Sequence, residues 1–85
     1  MQSRTNIDAE LHMLRSAGRM CDGRTRQEIE AARFNVYAAF ETGDPDAARR
    51  WLAALQLSIA SSPELDSVRE DLRTAMAHIA QAIER

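Results

Sequence analysis

Apolar residues recur along this chain at spacings of three and four, the period of an α-helix with one face turned to a core. Ile7, Leu11, Leu14 and Cys21 form the first such stripe, with Ala9, Met13, Ala17 and Met20 running beside it. A second rod carries Ile29, Ala32, Val36 and Phe40 on one side and Phe34, Tyr37 and Ala38 on another. In the third, Ala48, Leu52, Leu55 and Ile59 are neighboured by Ala47, Trp51 and Ala54. Leu65, Val68, Leu72, Met76, Ile79 and Ile83 give the fourth a single clean stripe. The pattern predicts an all-α fold, a compact bundle of four short helices at approximately 6–21, 26–42, 45–60 and 63–84. The short turns place sequential helices against each other.

The punctuation between the stripes has its own chemistry. Thr5 or Asn6 can cap the first helix, Asp8 and Glu10 suit the positive end of its dipole, and Gly23 is expected to end it. Thr25 followed by Glu28 fits a capping box for the second. In FETGDPDAARRW, Gly43 can close that helix in the left-handed conformation, Asp44 can cap the next, and Pro45 can stand at its first position. Ser61, Ser62 and Pro63 repeat this arrangement before the fourth helix, whose first turns are acidic and which has Arg85 at its end.

Composition narrows the function classes. Fifteen alanines against three glycines and two prolines favour helix, and 45% hydrophobic with 28% charged residues is the balance of a chain that folds. Residues 1–85 are expected to be one domain, small enough that its core alone is marginal and association would stabilise it. The charge of −2 makes neither half a polyelectrolyte. One cysteine, Cys21, precludes an internal disulfide and reads as a buried thiol in a reducing compartment. There is no run long and apolar enough for a membrane span, and the start MQSRTNIDAE lacks the apolar core of a secretory signal, so a cytoplasmic location is expected.

Catalytic and metal-binding signals are weak. Asp8, His12 and Ser16 have the composition of a hydrolase triad, but four-residue steps along one rod supply neither convergence nor an oxyanion hole. His12 and His78 have no Cys or His neighbours at a ligand spacing, and His78 is expected to lay its ring against the fourth stripe. Neither an enzyme nor a cofactor site is expected. Arg15, Arg19, Arg24, Arg26 and Arg33 surround the first turn and could meet phosphates, although Asp22, Glu28 and Glu30 dilute them.

Two short stretches resemble known families. Asp66, Ser67 and Val68 resemble the Asp-Ser-Leu motif on which acyl carrier proteins carry a prosthetic group, over three residues, with eighteen following Ser67 where that family has further helices. Gly43, Asp44 and Ala48 resemble the inner turn of a tetratricopeptide-type hairpin. Asn35, Val36 and Ala39 stand where that family prefers a large apolar, a small and an aromatic residue, and Pro63 comes a few residues late. This second resemblance spans one repeat, where arrays need about three, and implies a packing mode and protein binding.

The surplus stripes are the informative feature. The expected function is a non-enzymatic protein–protein interaction module, an adaptor, dedicated chaperone or small inhibitor, in which Met13, Met20, Phe34, Tyr37, Trp51 and Leu57 complete their burial against a protein partner or a second copy in a homodimer. The alternative is a small nucleic-acid-binding regulator that uses the Arg15–Arg33 cluster.

Overall fold

A computed structural model of the chain describes residues 7–84 and shows the four predicted helices: α1 (Asp8–Arg19), α2 (Gly23–Thr42), α3 (Pro45–Ala60) and α4 (Arg69–Glu84), with a 3₁₀ helix at Pro63–Val68. No strand occurs among the described residues. The expected caps at Thr5 and Asn6, and Arg85, lie outside them.

The turn that opens FETGDPDAARRW forms as its chemistry dictates. Gly43 is left-handed, with φ +71°. The Asp44 amide donates to Ala39 O at 2.9 Å and the Gly43 amide to Phe40 O at 3.3 Å, the paired bonds of a Schellman motif. Asp44 Oδ1 then accepts from the Ala47 amide at 3.1 Å, and Pro45 opens α3.

The other two turns differ from the sequence reading. Gly23, at φ +56°, enters α2 instead of merely ending α1, so Asp22 takes the cap position without a side-chain cap bond. Thr25 therefore falls inside the first turn, and the Thr25–Glu28 capping box is not made. The third turn uses no glycine. Ser61 Oγ donates to Leu57 O at 2.9 Å, Ser62 Oγ to Ser58 O at 2.6 Å, and Arg69 to Ile59 O at 2.9 Å, so three of the last four α3 carbonyls accept from side chains, Leu57 and Ile59 beside the amides of Ser61 and Ser62. The serines thus close α3 rather than cap its successor. Arg69 also reaches Ser62 O at 3.0 Å and Asp66 Oδ1 at 2.6 Å. The predicted 63–84 helix is consequently divided, its first six residues wound as 3₁₀ with Leu65 fully buried.

The helices run up, down, up, down. Each packs on the next, and α4 returns to α1. The core takes Leu14, Ile29, Val36, Leu55, Leu65, Leu72 and Ile79 from all four helices and the 3₁₀ segment, each essentially removed from solvent. Full burial of such a side chain contributes on the order of 1.5–3 kcal/mol. The α2–α3 pair makes the most extensive contact, because Ala32, Ala39 and Ala48 in its seam let the backbones approach closely. No buried side-chain nitrogen or oxygen among the described residues lacks a partner.

Candidate interaction surfaces

The core is complete without six large apolar side chains. Leu57 is 72% exposed and Phe34 59%, and Met13, Met20, Tyr37 and Trp51 lie between 37% and 46%. Exposed area of this kind in a folded small domain needs a physical account, and its distribution supplies one.

Which side each residue occupies follows from the flanks of its helix. On α3, Arg49, Ala53 and Gln56 share an open groove with Ala80, Ile83 and Glu84 of α4. Its opposite flank, Ala47, Trp51, Ala54 and Ser58, therefore faces α2. On α2, a Cβ at Gly18 of α1 would stand 3.0 Å from Glu30 Oε2 and 3.3 Å from Ile29 Cγ2, so the Glu30 flank faces α1. The flank of Ala31, Asn35 and Ala38 then faces α3. Phe34 stands on the outward crest of α2, Leu57 on the outward crest of α3, and Trp51 along the seam between them. Tyr37 is turned about 60° from Phe34 toward α1.

Met13 and Met20 belong elsewhere. With Ser16 and Ala17 of α1 they line a groove closed by Val68 of the 3₁₀ helix and by Asp71 and Leu72 of α4. The six predicted contact residues thus divide: Phe34, Trp51 and Leu57 on the α2–α3 face, Met13 and Met20 in the α1–α4 groove, and Tyr37 on the α1 side of α2.

The arginines also divide. Arg33 is half-buried and held by Glu30 at 3.0 Å. Arg15 on α1 and Arg26 on α2 border the same α1–α2 seam in helical register, Arg19 lies one turn further along α1, and Arg24 falls on the far side of α2.

Other candidates resolve into structural roles. His12 is exposed and Ser16 faces the methionine groove, so the Asp8–His12–Ser16 series does not converge on a pocket. His78, expected beside the α4 stripe with a wet edge, spends its Nδ1 on another helix. It is exposed, with Nδ1 3.2 Å from Glu10 Oε2, linking α4 to the start of α1. Among the described residues no group of three His, Cys, Asp or Glu side chains could hold a metal ion. Cys21 is buried, with Sγ 3.7 Å from Ala17 O. Burial, and after it the nearby Glu64 and Asp22 carboxylates, push its thiol above the ordinary 9.0, with Arg26 opposing them. Ser67 is exposed inside the 3₁₀ helix. One further concavity, an open cleft of about 240 Å³, lies at the α2–α3 turn between Phe40, Pro45, Ala48, Ala82 and Ile83. No helix among the described residues is long and apolar enough to cross a membrane.

Sequence patterning could expose the second stripes but missed Arg69, whose partners lie up to ten residues away across a turn. Compared with known proteins, the chain matches no family model, no curated protein and no solved structure.

Proposed function

We propose that this protein is a non-enzymatic helical interaction module that holds a protein partner through its apolar helix faces. One observation carries the reading: six large apolar side chains stand outside a core that closes without them. Aromatic residues and methionine are enriched at interface centres; the rigid rings bury much area at little entropic cost, and methionine adapts to irregular partners. An adaptor, a dedicated chaperone or a small inhibitor would each work through such faces. The test is affinity purification of tagged protein from its own cells alongside Phe34→Ser/Leu57→Ser and Met13→Ser/Met20→Ser variants. A protein held in stoichiometric amount by the wild type and lost from one variant supports the module. Identical recoveries from all three contradict it.

A second reading, a nucleic-acid-binding regulator, rests on Arg15, Arg19 and Arg26 bordering one seam. Arg15→Glu/Arg26→Glu would then abolish a salt-dependent shift of DNA or RNA. Absence of any shift with the wild type at low salt removes this reading.

A further inference from the structure

We infer that the α2–α3 face is a self-complementary surface whose occupant is a second copy of the same chain, an inference that rests on the interaction reading above and names its partner. The residues of this hairpin are arranged large against small. Phe34 lies ten residues before Asp44 and Ala54 ten after it, so the two stand at about the same height, within one residue's rise of about 1.5 Å. Leu57 and Ala31 stand thirteen residues to either side, and they too share a height. Each outward bulky side chain is thus level with an alanine on the neighbouring helix, Ala31 exposed and Ala54 half-buried.

A twofold axis along the seam lays α2 of one copy over α3 of the other at unchanged height. Phe34 then enters the gap at the partner's Ala54, Leu57 enters the gap at the partner's Ala31, and symmetry repeats both contacts. An unrelated partner would have to reproduce this spacing; a second copy has it already.

Charge and size agree with this occupant. Arg50, on the outward side of α3, lies level with Ala38 and one helical turn from Glu41 of α2, so the same operation brings Arg50 near the partner's Glu41. Unlike charges therefore meet at the rim in both copies, and the chain's net charge of −2 opposes association only weakly. The bundle measures 39 × 21 × 16 Å, so a long side amounts to roughly 600–800 Å², close to the ~800 Å² per partner of a standard interface.

Sedimentation equilibrium of the full chain at micromolar to tens-of-micromolar concentration tests this. The expected result is twice the 9.5 kDa chain mass for the wild type and for Met13→Ser/Met20→Ser, and a single chain mass for Phe34→Ser/Leu57→Ser. Ala31→Trp, at an exposed position, adds apolar surface, yet it should weaken the dimer tenfold or more, because it fills the gap that Leu57 requires. A surface that was merely adhesive would associate more strongly with that tryptophan, and that outcome overturns the inference, as does a wild type that stays at one chain mass throughout. Charge supplies a further arm: Arg50→Glu should weaken association and Arg50→Glu/Glu41→Arg restore it. If the wild type is monomeric while another protein is still lost from the Phe34→Ser/Leu57→Ser purification, the second copy is wrong and the interaction module stands. If both experiments are negative, both fail.

Discussion

α4 and the α2–α3 hairpin bury their apolar stripes in the same core, yet they treat solvent differently. All of α4's large apolar residues point inward, and its outward positions are polar or alanine. The hairpin fills the core as completely with Ile29, Val36, Leu52 and Leu55 and still leaves Phe34, Tyr37, Trp51 and Leu57 outside. α4 therefore shows how much apolar sequence this architecture needs per helix, and the hairpin carries more than that. The excess is what the proposed function uses.

The comparison is broken most severely from the α4 side. Ile79 of α4 is fully buried in the core. Ile79→Ala is expected to lower unfolding free energy by about 2–5 kcal/mol, measured by urea titration; a loss under about 1 kcal/mol would show that the α4 stripe is not the core described. Next in size is the joint between the two regions. Arg69→Met removes the guanidinium bonds that the Ile59 and Ser62 carbonyls accept beside those from the Ser62 and Leu65 amides and should cost about 1.5–3 kcal/mol, the range for hydrogen bonds to a charged group, with faster amide exchange across residues 61–68. Unchanged exchange there would mean that Leu65 alone holds the 3₁₀ segment.

Smaller effects sharpen the view of the hairpin itself. Gly43→Ala meets no atom within 4 Å, so its expected cost of about 1 kcal/mol is backbone conformation alone. Asp44→Ala should lose a similar ~1 kcal/mol through the Ala47 amide. Equal melting temperatures for either variant and the wild type would contradict the turn. The smallest effect is that of Cys21. Its folded thiol titrates above the unfolded one, so its contribution is complete below the unfolded value and is lost as pH rises through the folded one. Stability should therefore fall as pH rises past the ordinary thiol pKa of about 8.5 in the wild type and less so in Cys21→Ala, followed by denaturant titration at each pH. Parallel pH profiles would remove the thiol from the account.

These differences also mark what the sequence could disclose. Gly43, Asp44 and Pro45 act on amides and carbonyls within five residues, so their roles are legible in the sequence. Thr25 and Glu28 were misleading because Gly23 admits a positive φ and the chain enters α2 before reaching them. The division of the fourth helix was hidden because Arg69 acts across a turn, on carbonyls whose positions only the folded α3 defines. Likewise, the spacing of Met13, Met20, Phe34, Tyr37, Trp51 and Leu57 announced second stripes. Their separation onto three sides depends on which flank of each helix meets which neighbour, and periodicity within one helix carries no information about that.

The most direct measurement is the unfolding free energy of Phe34→Ser/Leu57→Ser, taken at a protein concentration low enough for both it and the wild type to be single chains. Surface substitutions away from a fold's needs stay within about 0.5 kcal/mol each, and the double variant is predicted to match the wild type within about 1 kcal/mol. A loss of about 3 kcal/mol or more would place these side chains in the fold itself and leave no excess surface for a partner.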